Sequence, residues 1–328
     1  MLTTYSDRIE WIDYAKTLGI ILVYIGHTGV PDEIKSRIYL FHMPLFFMIS
    51  GFLWNQDKYD AMSFTEFVGK KASSYISPYI KIGLVCLVLW GIMVNSIIFP
   101  FSEYWQTLLK YVFGLFVYSR GTVEFMPQCS PIWFLTCLFC AEILFYLVMK
   151  TKKPLILIIV CIGFAFLSQQ LPKLYWNIDT AVVVVPFLYA GCMLRKYLKI
   201  ASKWIIALPV TLMGLFFIMS CNYWTDFDGN RYHNVALMYL ASFCCSISVM
   251  LLVKSLSTWI GYKSWGGQIL SFIGNNTLFL MGYNYLINPF ANILSFRCQY
   301  VKGFVGIAIA SILILLLNRY PKIKKLFI

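Results

Sequence analysis

Charge is scarce in this chain of 328 residues: Asp, Glu, Lys and Arg together make up 12%, about half the share of an average soluble domain. A soluble protein of this length has too much surface to cover with so few charges. Acidic residues are rarer than basic ones, 14 against 27, and histidine occurs three times. There is no glycine-rich phosphate loop and no Gly-x-Ser-x-Gly elbow, so two common routes to nucleotide and ester chemistry lack their usual sequence supports. What fills the chain is apolar, with 60% hydrophobic residues. That excludes a disordered or collagen-like chain. A net charge of +13 would suit a nucleic-acid partner if the basic residues were clustered. They stand between apolar blocks instead, the pattern of a polytopic membrane protein, and no nucleic-acid partner is expected.

Of the ten cysteines, Cys86, Cys137, Cys140, Cys161, Cys192, Cys244 and Cys245 lie inside apolar runs, where cysteine behaves as a small hydrophobe. No spacing matches a zinc site, so neither a metal nor a disulfide framework is expected. The N-terminal MLTTYSDRIEW is polar and leads directly into the first apolar run, so no cleavable signal peptide is expected either.

A helical span needs about 20 mostly apolar residues. Ten stretches qualify: 12–30, 38–55, 77–99, 131–149, 154–171, 178–195, 204–222, 234–253, 268–289 and 301–318. The fold class is therefore an all-α transmembrane bundle of about ten spans. The stretch 103–118 mixes aromatics with Glu103 and Lys110 and reads as an interfacial helix. With the N-terminus inside, nineteen of the 27 Lys and Arg fall on the cytoplasmic side. The positive-inside rule then puts both termini in the cytoplasm; a multi-pass protein of the plasma (inner) membrane is expected. No internal repeat is visible, which counts against the inverted-repeat transporter folds.

Ionisable groups inside a bilayer are costly, so each is a functional candidate. The first span carries Asp13, Lys16 and His27. Lys16 and His27 are separated by about 16 Å of helix rise, half the hydrocarbon thickness. Asp13 is too far from His27 to orient it and can pair with Lys16 or Thr17 instead. The second span opens with Phe41-His42-Met-Pro44 and continues to Ser50-Gly51. His42 is placed within a helical turn of His27 in depth. In the fourth span Glu142 stands alone, about 12 Å above the inner edge; it can accept a hydrogen bond from an imidazole or brace two helices. The ninth span, with Asn275, Asn276, Thr277, Tyr283, Asn284, Tyr285 and Asn288, is too rich in amides to face lipid and is expected to line a cavity. Asp226-Phe-Asp228-Gly-Asn230 is faintly like a calcium loop but lacks the acid at the twelfth position. It reads as a solvated outer turn, with His233 as a surface histidine.

The strings RIEWIDYAKTLGIILVYIGHTG and FHMPLFFMISGFL resemble the integral-membrane acyltransferase-3 family, and within it the fucose 4-O-acetylase-like sugar acetyltransferases. That family carries a basic residue, ten residues, then a histidine in its first span, here Lys16 and His27. Pro131-Ile-Trp133-Phe-Leu is similar to its tryptophan-containing span start, and Ile273-Gly-Asn-Asn-Thr277-Leu to a late span that often ends in a histidine; Asn284 stands at that place here. The resemblance is sharp over 1–55 and diffuse beyond.

It implies a single acyltransferase domain over 1–328. The implied donor is acetyl-CoA and the implied acceptor a hydroxyl of a surface polysaccharide or lipid-linked oligosaccharide. The residues expected to act are His27 as general base, with His42 and Glu142 beside it. Lys16, Arg8, Lys70 and Lys71 are expected on the CoA phosphates, and Trp133, Asn284 and Tyr285 on the acceptor. A homo-oligomer is compatible with this picture. The competing readings are a transporter or flippase for a glycan intermediate and a non-catalytic assembly partner.

Overall fold

The computed structural model describes residues 9–95, 101–122, 124–296 and 298–327. Its first half comprises helices α1 (Glu10–Gly26), α2 (Asp32–Tyr39), α3 (His42–Phe52), α4 (Gln56–Asp60), α5 (Phe64–Lys71), α6 (Ser77–Asn95), α7 (Phe101–Phe113), α8 (Trp133–Met149) and α9 (Pro154–Ser168). The second half holds α10 (Ile178–Lys196), α11 (Leu198–Ala201), α12 (Trp204–Ser220), α13 (Val235–Ile260), α14 (Trp265–Asn275), α15 (Thr277–Leu294), α16 (Gln299–Asn318) and α17 (Pro321–Phe327). A two-stranded hairpin, β1 (Thr225–Asp226) and β2 (Arg231–Tyr232), sits between α12 and α13 and pairs Thr225 with Tyr232. The expected all-α class holds.

Among the described residues, five continuous helices are long and apolar enough to cross a membrane: Phe64–Ile92, Ser130–Met149, Tyr175–Lys196, Val235–Ile260 and Gln299–Asn318. Two shorter apolar helices, Pro154–Ser168 and Trp204–Ser220, flank them. Five is fewer than the ten expected spans, and the shortfall has a pattern. The stretches 12–30, 38–55 and 268–289 meet no such test: α1 is 17 residues long and carries Asp13 and Lys16, α3 has 11 residues, and the ninth stretch is broken at Asn276. Each of these broken helices contributes residues to the cavities described below.

Broken backbone at such depth is tolerated where protein satisfies its polar groups. The bend between α2 and α3 is served by α13, whose Ser242 hydroxyl donates to the Leu40 carbonyl at 2.5 Å and whose Ser246 donates to the Phe41 carbonyl at 3.5 Å. Thr17 on α1 likewise donates to the Leu270 carbonyl of α14, and Tyr24 to the Leu280 carbonyl of α15. Side-chain hydroxyls therefore stitch α1 to the divided ninth stretch.

Apolar side chains cover the outside. Ile159, Val160, Phe166, Leu167, Trp204, Leu215, Phe216, Phe304, Ile312 and Leu315 are all at least half exposed, a belt that a soluble monomer could not carry. Inside, α3 and α10 approach so closely that a Cβ on Gly51 would strike the Leu188 carbonyl, and one on Gly191 the Met48 carbonyl. Reciprocal glycines allow this backbone contact.

Candidate functional site

Helix periodicity explains the first feature of the site. Lys16, Ile20, Val23 and His27 are spaced by four, three and four residues, so they share one face of α1. Lys16 and Ile20 line a cavity of about 280 Å³ together with Ser50, Tyr75, Phe134 and Leu278. Val23 and His27 line a second cavity, of about 330 Å³, together with His42, Trp133, Tyr285 and the hairpin. Met281 of α15 belongs to the wall of both. The spacing of cation and histidine noted in the sequence thus spans two chambers that meet at one methionine.

In the second chamber the two histidines face a common tyrosine. The Tyr39 ring lies 6.2 Å from His27 and 4.8 Å from His42. His27 sits at the end of α1, where its ring Nδ1 is 3.4 Å from the Tyr285 hydroxyl, with ring centroids 5.5 Å apart. His42 Nδ1 is 2.9 Å from the Ile38 carbonyl. A carbonyl can only accept, so Nδ1 carries the proton and Nε2 of the neutral ring is the bare nitrogen. His42, buried at 4% exposure, is thereby locked in one tautomer.

The lid of this chamber was not legible in the sequence. The turn 226–230 is no solvated loop: Asp226 and Asp228 line the cavity beside Trp224 and Lys35. Arg120, at 1% exposure the largest fully buried side chain, anchors it. It pairs with Asp179, donates to the Asp228 carbonyl, and donates through Nε to the Leu174 carbonyl at 3.1 Å. Asp179 also accepts from Asn230 at 2.7 Å, and Thr180 donates to the Phe227 carbonyl at 3.0 Å. Among the described residues Asp228 Oδ1 receives only the Gly121 N–H, at 3.3 Å. Burial, and next the neighbouring Asp226, push the Asp228 carboxyl up to about 7, against the opposing pull of Arg120. Trp224 stacks on Tyr39 at 4.8 Å, and the Lys35 ammonium sits 4.9 Å from the Trp224 ring. His233 is exposed, as expected, and stacks on Tyr223.

Glu142 occupies a different place from the histidine neighbourhood. It is 1% exposed and faces α5 and its continuation. Lys71 Nζ is 2.5 Å from its Oε2, while Ser50 and Tyr75 donate to its Oε1 at 2.5 and 3.0 Å. A π-helical turn, Ala72–Ile76, joins α5 to α6 and brings Lys71 and Tyr75 onto the same carboxylate. Of the two roles left open, bracing is the one its contacts fill. Lys71 is spent on that pair and on Tyr59, whose hydroxyl is 3.1 Å away, so it is not a free phosphate ligand. Lys70 stands outside both chambers, its ammonium 5.5 Å from the Tyr59 ring. Lys16 is a quarter exposed, pairs with Asp13 at 3.4 Å and borders the first chamber. Arg8 lies outside the described residues.

Of the residues expected on the acceptor, Trp133 and Tyr285 line the second chamber. Asn284 does not. It is fully buried and accepts from Asn288 at 3.0 Å. On a helix, adjacent residues point about 100° apart, so Tyr285 and Asn284 face different ways.

Nodulation protein NolL of Mesorhizobium japonicum is 34% identical over 116 residues, which is 32% of this chain and 30% of NolL; the match thus spans less than a third of that relative. A family model described as an acyltransferase domain matches residues 9–317. With that match running from the start of α1 to the last turn of α16, this membrane-helix bundle belongs to the acyltransferase domain family.

Proposed function

We propose that this acyltransferase moves an acetyl group from acetyl-CoA on the cytoplasmic side to a hydroxyl of a surface or lipid-linked glycan presented to the opposite chamber, in the manner of fucose 4-O-acetylase-like enzymes. The observation that carries the reading is the single face of α1 that joins Lys16 in one chamber to His27 in the other. CoA is a polyanion, and Lys16, on the wall of the first chamber, would meet its phosphates as the acyl arm enters. The thioester would extend through the first chamber toward Met281. The glycan hydroxyl then attacks the thioester carbonyl carbon while His27 removes the hydroxyl proton as general base. Collapse of the tetrahedral intermediate expels the CoA thiolate, which takes that proton from the imidazolium. His42, bare at Nε2 in its neutral form, accepts a hydrogen bond from the acceptor rather than donating one to an oxyanion. Tyr285 is placed to orient His27.

Purified protein is mixed with radiolabelled acetyl-CoA and a neutral oligosaccharide, and label is followed into base-labile ester. His27→Ala is expected to lose at least a hundredfold in rate, the usual scale of a general base. Product formed at the parental rate would remove His27 from that role. A glycan-transport reading would instead require sugar uptake into vesicles without ester formation.

A further inference from the structure

The hairpin roof of the histidine chamber carries polar groups that nothing in the proposed acyl transfer uses. Thr225 is completely buried, borders the cavity, and its hydroxyl has no hydrogen-bond partner among the described residues. An orphaned hydroxyl in such a place is costly unless something satisfies it. Beside it, the Asp226 carboxylate makes no hydrogen bond among the described residues, and Asp228 has only the long contact from Gly121. Two carboxylates and one orphaned hydroxyl on one short hairpin thus stand unspent on the wall of the same cavity. The walls around them are aromatic, with Trp133, Tyr39, Trp224 and Tyr285. Aromatic walls with a few convergent acceptors are the surface that a sugar ring needs, apolar C–H groups on one side and hydroxyls on the other. The buried Arg120–Asp179 pair and the Asn230 and Thr180 contacts fix the hairpin in this position.

We infer that Asp226 and Asp228, with the Thr225 hydroxyl, select the acceptor by binding neighbouring hydroxyls of a neutral sugar and repelling sugars that carry a carboxylate or phosphate. This deepens the proposed function and rests on it for the identity of the acceptor. Carboxylates accept from hydroxyls with charge-assisted strength; Lys35 on the same wall is held against the Tyr39 and Trp224 rings, and the two carboxylates outnumber it, so an anionic ring is disfavoured.

The test uses the full chain in detergent with two readouts. Binding of a neutral oligosaccharide is followed by quenching of tryptophan fluorescence, and transfer is followed by ester formation. Asp226→Asn and Asp228→Asn are expected to raise the acceptor KM by about 10- to 100-fold, the scale of a hydrogen bond to a charged group. The KM for acetyl-CoA should stay as it was. The preference for neutral over uronic-acid acceptors should shrink by a similar factor. Thr225→Val, which keeps the shape, should raise the acceptor KM by less. Unchanged acceptor KM and unchanged preference in both Asp variants would overturn the inference while leaving acyl transfer intact. A fall in kcat at constant KM would overturn it too. A parent protein that binds the sugar but forms no ester would defeat the acyl-transfer reading and leave the recognition site standing; no binding and no transfer would defeat both.

Discussion

Removing Lys71 should hurt more than removing the charge of its partner. Lys71→Met keeps most of the side-chain volume but strands the Glu142 carboxylate, 1% exposed, with only the Ser50 and Tyr75 hydroxyls for company. Breaking a buried pair from one side costs about 3–5 kcal/mol, because the remaining charge is uncompensated. Glu142→Gln strands the ammonium instead, yet its surroundings differ. Lys71 Nζ lies 4.8 Å from the Tyr59 ring centroid, 5.5 Å from Phe67, 5.7 Å from Trp54 and 5.8 Å from Tyr75. Such an aromatic cage holds a desolvated cation by about 2 kcal/mol, and the glutamine oxygen still accepts from both hydroxyls. Glu142→Gln is therefore expected to cost roughly 1–3 kcal/mol on the same reasoning, and the double variant less than Lys71→Met alone. Unfolding of detergent-solubilised protein can be followed with a thiol-reactive dye, since Cys86, Cys129 and Cys137 are fully buried in the fold. Equal losses from the two single variants, or a double variant equal to their sum, would refute the argument.

Gly191→Ala should destabilise by about 1–3 kcal/mol or prevent folding, since the added carbon meets the Met48 and Phe52 backbone rather than a movable side chain; the same dye assay reads it. Arg120→Met should free the hairpin, so that limited proteolysis cuts between residues 226 and 230 far faster than in the parent. Asp228 gives a pH signature. Its carboxyl is raised from 3.8 to about 7, so the folded state favours the protonated form. Its contribution to stability is complete below about pH 4 and is lost as pH rises through about 7. The thermal midpoint of the parent, relative to Asp228→Asn, should fall across that window; a flat difference would count against it. Lys16→Ala should raise the KM for acetyl-CoA and leave that for the acceptor alone.

The parts of this site that could be read from sequence are those governed by helix periodicity and by the cost of charge in hydrocarbon. Lys16 and His27 obey both, and the second-span histidine follows from depth alone. Depth says nothing about azimuth, which is why Glu142 was compatible with the histidines on paper and turns to Lys71 in the fold. Asn284 was assigned to the right helix and the wrong face. The hairpin was missed for another reason: Arg120 and Asp179 are 59 residues apart, and nothing local to Asp226 or Asp228 announces that a distant buried pair folds their turn back over a cavity. The span lengths show the same division. Continuous apolar helices were legible, whereas the bend before α3 depends on serines supplied by α13.

Met281 stands on the wall of both chambers. A thioether on an unbranched stem swings aside at little cost, and it is one side chain that two chambers share. A bilayer protein that hands a small group from one face to the other must do so without becoming a leak for protons and ions. Under the proposed acyl transfer such a seal would fall at this soft side chain, so trimming it to alanine should raise acetyl-CoA hydrolysis relative to ester formation.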